Sequence, residues 1–298
     1  MAPVVSVGRP LAVTCGDPGG IGPDLALLAW SRRKAADLPP FYLLADPVMA
    51  ASRARRLGLV IPLEETMPEQ AGMHFSRALP VIALSNRQVD RPGIAEASHA
   101  ESVIEAVDKA VEHVIAGRAA AVVTGPIAKK PLYERGFAFP GHTEYLAHLA
   151  ERHAGRPFRP VMMLAGPDLR TVPVTIHIPL KDVPVALSSS LIVETGRIVA
   201  ADLEKRFGLA RSRLAVAGLN PHAGEGGTMG KEDETIIAAA VRELKQAGIH
   251  AFGPLSADTL FHARARSSYD AALCMYHDQA LIPVKTLAFD ETVNVTLG

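Results

Sequence analysis

Three histidines raise the chemical question. His222 lies in Gly218-Leu219-Asn220-Pro221-His222-Ala223-Gly224-Glu225-Gly226-Gly227, a stretch too rich in glycine and proline for ordinary helix or strand. The apolar run Leu214 to Ala217 before it reads as a buried strand, and Lys231 to Gln246 after it reads as a helix. A glycine-rich turn from strand to helix is where open α/β sheets hold ligands, because main-chain N–H groups there can face an anion. Two further apolar runs end in histidine: Val174-Thr175-Ile176 leads into His177, and Ala271 to Tyr276 leads into His277-Asp278-Gln279. Parallel strands of one sheet deliver their carboxyl ends to one edge, so these histidines are expected to converge although they are remote in sequence. Neutral imidazoles bind zinc and related divalent ions, and three protein ligands leave coordination positions open for substrate. Such an ion could ease hydride loss from a substrate hydroxyl to a nicotinamide cofactor, or it could activate water. Spacing alone leaves both open, since the 11 histidines include no short H-x-x-x-H pair and loop histidines are often structural.

Other residues fit around such a centre. Asp258 and Asp278 are placed to orient histidines or to take a proton. Lys285 offers a cation to a phosphate, or a proton-transfer group if its surroundings depress its pKa, with an exposed lysine as the plain alternative. His142 and Thr143 follow Gly141 at the start of a helix, where unpaired N–H groups favour an anion; Thr143 could equally be a simple N-cap.

The elements that must position these residues alternate along the chain. Leu11 to Cys15, Phe41 to Ala45, Ala119 to Thr124, Val161 to Ala165, Thr171 to Ile176 and Leu214 to Ala217 read as strands, with Val161 to Ala165 and Thr171 to Ile176 as a pair. Ala97 to Ala116 and Ser190 to Phe207 read as helices; His99 and His113 are expected at the surface or boundary of the first. Arg53, Arg55 and Arg56 read as a solvated face, and Glu64 to Phe75 and Gly253 to Phe261 as irregular. The turn Gly16-Asp17-Pro18-Gly19-Gly20-Ile21-Gly22-Pro23 lacks the G-x-G-x-x-G dinucleotide spacing, so cofactor-contacting residues stay unassigned. The alternation predicts a mostly parallel, doubly wound α/β architecture. A chain of 298 residues exceeds the comfortable size of one core, so two lobes are expected: 1–136 with 279–298, and 137–278.

Composition excludes other classes. Lys plus Arg and Asp plus Glu both total 31, so no global basic field invites nucleic acid. No apolar run approaches the roughly 20 residues of a membrane helix, and Met1 to Val7 lack the features of a signal peptide. Cys15 and Cys274 lie in apolar runs and suit reduced, buried thiols, which points to a cytoplasmic protein.

Read together, Gly16 to Pro23, Thr124-Gly125-Pro126, Gly141-His142-Thr143-Glu144, Gly218 to Gly227, Ala257-Asp258-Thr259-Leu260-Phe261, Tyr276-His277-Asp278-Gln279 and Val293-Asn294-Val295-Thr296-Leu297-Gly298 resemble the motifs of the 4-hydroxythreonine-4-phosphate dehydrogenase family. They occur in that family's order across nearly the whole chain. The resemblance implies a two-lobed fold of the isocitrate and isopropylmalate dehydrogenase type, a homodimer, and a place in vitamin B6 synthesis. It implies NAD- or NADP-dependent oxidation of 4-phosphooxy-L-threonine at its C3 hydroxyl, followed by loss of carbon dioxide to give 3-amino-2-oxopropyl phosphate. By the same resemblance His177, His222 and His277 match ligands of a divalent ion (zinc, magnesium or cobalt) drawn from both subunits. His142, Thr143, Lys285 and Asn294 match substrate-binding positions, and Asp258 and Asp278 match acids that maintain the site. The family's chain runs on past the Asn-Val-Thr-Leu-Gly stretch and supplies a substrate-binding arginine, which a chain ending at Gly298 is expected to lack. A relative acting on 4-phospho-threonate or 4-phospho-erythronate, a metal-dependent hydrolase and a non-enzymatic phosphate binder are the competing readings.

Overall fold

Phe41-Tyr42-Leu43-Leu44-Ala45 offers water no polar side chain, and the structure buries all five residues. Residues 8–298 are described by a computed structural model; the signal-peptide reading of Met1 to Val7 lies outside them. The described chain forms two compact units that change over between Phe158 and Arg159.

The first unit carries strands β1 (Leu11–Thr14), β2 (Phe41–Ala45), β3 (Leu63–Glu65), β4 (Leu79–Ala83) and β5 (Val122–Thr124). Their order is β3-β4-β2-β1-β5, with every pair parallel. Its helices are α1 (Gly22–Arg32), α2 (Pro47–Arg56), the one-turn α3 (Ala71–His74), α4 (Ala100–Ile115), the short α5 (Lys129–Tyr133) and α6 (His142–Ala154). Successive strand residues point to opposite faces. Phe41, Leu43 and Ala45 therefore join Leu27 and Trp30 of α1 and Met49 of α2, while Tyr42 and Leu44 join Ala106 and Ala110 of α4. Both faces are covered, which is why a parallel strand reads as a continuous apolar run.

The second unit holds β6 (Val161–Ala165), β7 (Arg170–Pro173), β8 (Arg213–Ala217), β9 (His250–Leu255), β10 (Ala271–Cys274) and β11 (Val293–Leu297), in the order β11-β6-β7-β10-β8-β9. β7, β10, β8 and β9 run parallel, and β6 is antiparallel to both of its neighbours. Its helices are α7 (Val183–Ala186), α8 (Ser189–Phe207), α9 (Ala238–Gln246), α10 (Ala263–Arg266) and α11 (His277–Ala288). Leu214, Val216 and Leu273 pack with Ile192 and Val199 of α8 and Leu244 of α9. On the opposite face, the small side chains of Ala215, Ala217, Ala272 and Cys274 lie with Ala280 and Val284 of α11. Both cysteines are buried free thiols; burial pushes Cys15 up to about 12 and raises Cys274 as well, so neither is a nucleophile near neutral pH. Among the described residues no single helix is long and apolar enough to cross a membrane.

Several expectations are corrected. Residues 137–158 belong with the first lobe rather than the second, since Tyr145 and Leu149 of α6 pack with Val107 and Val111 of α4, and residues 279–298 do not return to the first lobe: α11 packs on the second unit's sheet and β11 pairs with β6, so backbone pairing keeps this segment with residues 159–298. Residues 64–75 are not irregular but complete β3, a 3-10 turn and α3. The stretch from Gly253 begins inside β9, and β4 was not foreseen. His99 and His113 are buried rather than superficial: His99 Nε2 accepts from the Val89 N–H, and His113 Nδ1 lies 2.9 Å from the Tyr42 hydroxyl.

Arg53 is the largest correction. Arg55 and Arg56 are exposed, but Arg53 is 1% exposed and binds four oxygens. Nε donates to Asp90 at 2.6 Å, Nη1 to Asp24 at 2.6 Å and to the Gly20 carbonyl, and Nη2 to the Pro18 carbonyl. The guanidinium thus fixes the Gly16–Pro23 turn from inside. Burial raises the Asp90 carboxyl, but hydrogen bonds from Arg53, Ser52 and Arg56 outweigh it and hold the group below its usual range. Because the folded pKa is depressed, this contribution to stability is full above the unfolded value of about 3.9 and is lost as pH falls through the folded value. Arg53→Met is expected to cost about 3 kcal/mol in urea unfolding at neutral pH, because it removes one partner from Asp90, the guanidinium from the part-buried Asp24, and the donors from the Pro18 and Gly20 carbonyls. In Asp90→Asn the acid-side loss of stability should shrink; an unchanged profile would remove Asp90 from this role.

Candidate functional site

The site begins with strand direction. β7, β10, β8 and β9 are parallel neighbours, so their carboxyl ends leave the sheet at one edge. His177, His277, His222 and Asp258 follow those four ends in that spatial order. The pairing continues past the regular ladder: the Val174 N–H donates to the Cys274 carbonyl at 2.7 Å, and the Thr175 hydroxyl donates to the Met275 carbonyl at 2.7 Å. Two segments bound together in this way bring the rings of His177 and His277 to 5.7 Å between centroids.

His277 opens α11, with Nδ1 2.7 Å from an Asp278 carboxylate oxygen. A carboxylate only accepts, so this contact assigns the proton to Nδ1 and leaves the Nε2 lone pair free for a ligand. His222 stands on different backbone. His222, Ala223, Gly224, Glu225 and Gly226 all have positive φ, between 43° and 81°, forming a left-handed turn. His177 also has positive φ, 49°. Each non-glycine residue in this region costs about 1–2 kcal/mol, and such strain persists only where surrounding structure enforces it. Asp233, 2% exposed, does so here: its carboxylate accepts from the Leu219 N–H at 2.7 Å, the Asn220 N–H at 3.1 Å and the Asn220 side chain at 2.9 Å. Gly218 makes this possible, since a Cβ there would stand 2.6 Å from an Asp233 oxygen and 2.8 Å from the Ala223 Cα. Asp258 is exposed beside this turn. The Ser256 hydroxyl, aided by backbone N–H groups and the neighbouring His222, holds its carboxyl below the usual range.

The chain therefore gathers His177 and His277 and leaves His222 beside Asp258. Among the described residues no group of three or more His, Cys, Asp or Glu side chains comes together to hold a metal ion. A pair of imidazoles with free nitrogen donors on one edge fits part of a divalent site; it does not close one. Lys285 is exposed on α11, its ammonium 5.7 Å from the Phe289 ring, and Asn294 is exposed on β11 opposite Leu164.

In the first unit, His142 is the first residue of α6 and its ring lines an apolar cleft with Val103, Ile104, Val107, Ile127, Leu132, Phe137 and Tyr145. Burial lowers its pKa, and Nε2 has no hydrogen-bond partner among the described residues. Gly141, not Thr143, is the N-cap, and no side chain caps the helix, which leaves Thr143 in the first turn. The Gly16–Pro23 turn shows no cradle for a dinucleotide. A Cβ at Gly19 would strike the Ile94 carbonyl at 2.1 Å, and one at Gly22 the Cys15 carbonyl at 2.0 Å, so these glycines serve the chain's own packing. Sequence reading missed Asp233, Ser256 and Gln279. Ser256 was two residues from a candidate acid, but nothing local marks Asp233 within Lys231-Glu232-Asp233-Glu234.

Residues 37–298 match the family described as pyridoxal phosphate biosynthetic protein PdxA. The chain belongs to this family. A 4-hydroxythreonine-4-phosphate dehydrogenase of Bradyrhizobium diazoefficiens is 54% identical, over 97% of this chain and 86% of that protein. The enzyme of that name from Xanthobacter autotrophicus is 55% identical, over 97% and 83%. The crystal structure of the Klebsiella pneumoniae 4-hydroxythreonine-4-phosphate dehydrogenase matches with a TM-score of 0.85 at 31% identity, covering 97% of this chain and 88% of that one. The mostly parallel α/β architecture of this PdxA-family chain is thus that of its relatives, as the motifs implied.

In a metal-free preparation, Asp233→Ala is expected to cost about 2–3 kcal/mol in urea unfolding, because it strands buried N–H donors. Ala223→Gly should instead stabilise by about 1 kcal/mol through relief of the left-handed residue. A destabilised Ala223→Gly would contradict the strain assigned to this turn.

Proposed function

We propose that this chain is a 4-hydroxythreonine-4-phosphate dehydrogenase, oxidising the C3 hydroxyl of 4-phosphooxy-L-threonine to 2-amino-3-oxo-4-phosphooxybutanoate. The observation that carries the reading is the approach of His177 to His277 on the strand edge that also bears His222, in a chain 54% identical to an enzyme of that name. NAD or NADP, when bound, would supply the hydride acceptor. His177, His222 and His277 would hold a divalent ion (zinc, magnesium or cobalt), which would supply Lewis acidity to the substrate hydroxyl.

The remaining work falls to this chain's own groups. Asp278 fixes the His277 tautomer and ring direction through the 2.7 Å contact, keeping Nε2 available. Asp258, beside the His222 turn and bonded by the Ser256 hydroxyl, is the anion that orients that histidine or takes a proton. The second unit by itself offers Lys285 and Asn294 as substrate contacts, and the first unit by itself offers His142 and Thr143. Lys285 offers its free ammonium to the phosphate as a point charge. The C3 hydride would pass to the nicotinamide ring and the hydroxyl proton to water; the resulting β-keto acid loses carbon dioxide as the ketone takes up the electron pair of the broken C–C bond, and the enol so formed takes a proton from water at its carbon. The product is 3-amino-2-oxopropyl phosphate, a precursor in vitamin B6 synthesis.

One chain offers a pair of imidazoles and a separate third, which supports a homodimer in which a second copy completes each site. Two buried free thiols accord with a reducing cytoplasm.

The test is NADH formation by the purified protein with 4-phosphooxy-L-threonine and with 4-phospho-erythronate and 4-phospho-threonate. The amino substrate should be preferred, chelation should abolish turnover, and zinc, magnesium or cobalt should restore it. His222→Ala and His277→Ala should each lower kcat/KM about a hundredfold or more, the scale of several kcal/mol of lost Lewis-acid stabilisation. Preference for a non-amino acid would assign the relative's reaction; metal-dependent hydrolysis without NAD would assign a hydrolase.

A further inference from the structure

Gln279 is 7% exposed and has no role in the chemistry above. Its side chain lies between two candidate ligand turns. Oε1 accepts the Met275 N–H at 2.6 Å, two residues before His277, and Nε2 donates to the Gly218 carbonyl at 2.7 Å, where the His222 turn begins. The Gly218 N–H in turn donates to the Leu255 carbonyl at 2.7 Å, at the end of β9 just before Ser256 and Asp258. One buried amide therefore ties the end of β10 to the end of β8, and Gly218 passes the tie to β9. Asp233 holds the His222 turn from its other side but touches neither of the other two turns.

We infer that Gln279 is a positioning residue that sets the spacing of the His277 and His222 turns, and so prepares the imidazoles to take a divalent ion. This inference rests on the proposed metal site. Amide geometry fits the task. A buried primary amide presents one acceptor and one donor from a rigid plane, so it fixes both separation and direction between an N–H and a carbonyl. An apolar residue of similar length would keep the volume and lose the tie. It would also leave two buried backbone groups unpaired, so loss of stability alone would not identify positioning.

Asp270 supplies the comparison. Its carboxylate accepts from the Arg213 N–H at 2.7 Å and from the Arg213 side chain, joining the amino ends of β10 and β8 at the opposite edge of the same sheet. The full-length wild type, Gln279→Met and Asp270→Ala would be purified metal-free and compared by thermal unfolding, Co2+ titration read by visible absorption, and amide hydrogen exchange. Gln279→Met should bind Co2+ about 10–100-fold more weakly, the usual effect of losing a partner behind the ligands. Its exchange should rise together over 218–228 and 275–278. Asp270→Ala should lose melting temperature yet keep Co2+ affinity and leave exchange in both turns unchanged. The inference is overturned if Gln279→Met binds Co2+ as wild type does, or if only one turn loosens. If wild type itself binds no Co2+, the proposed function fails, and exchange in the two turns alone decides whether Gln279 couples them. Should Gln279→Met not fold, Gln279→Glu takes its place, since it keeps the acceptor for Met275, loses only the donor to Gly218, and is read by the same outcomes.

Discussion

The parallel alignment of β7, β10, β8 and β9 is the constraint on which the chemistry depends. Hydrogen-bond register along parallel strands forces their carboxyl ends to one edge, so His177 and His277, 100 positions apart in sequence (277 − 177), become neighbours without any local motif. Side-chain size serves the same end. Ala215, Ala217, Ala272 and Cys274 make a shallow face on which α11 lies close, and His277 is the first residue of that helix. A larger residue at any of these positions would push back the helix that carries the candidate ligand His277.

Buried polar side chains then shape turns that apolar packing cannot. Arg53 holds the Gly16–Pro23 turn by its carbonyls, Asp233 holds the His222 turn by its N–H groups, and Gln279 joins one of each. Each is almost wholly enclosed, so each bond forms where water cannot compete and where a missing partner is costly. The left-handed residue at His222 shows what this achieves, because a candidate ligand stands on backbone that an isolated chain avoids.

Periodicity made part of this legible. Phe41 to Ala45 is the observed β2 and Ser190 to Phe207 lies within α8, because burial on one or both faces leaves a plain pattern of apolar residues. The three histidines were legible as strand-end residues on one edge, whereas the convergence of all three was not, since the described chain brings His177 to His277 and leaves His222 beside Asp258. Segments interrupted by proline were not: Pro80 lies within β4 and Pro254 within β9, where a missing N–H argues against strand. Arg53 was misread because charge spacing on a helix does not reveal that one member faces two carboxylates from distant segments, Asp24 and Asp90. His99 and His113 were misread for a similar reason, since their partners Val89 and Tyr42 are set by tertiary packing. Residues 279–298 were assigned to the wrong lobe because composition cannot tell which sheet an edge strand such as β11 will join.

Anomalous diffraction from crystals of the cobalt-loaded protein tests the central claim most directly. The account predicts one peak per site, with imidazole nitrogens of His177, His222 and His277 at about 2.0–2.2 Å and at least one of them contributed by a second copy of the chain. A peak on other residues, or one that leaves any of these three rings outside the coordination sphere, would contradict it.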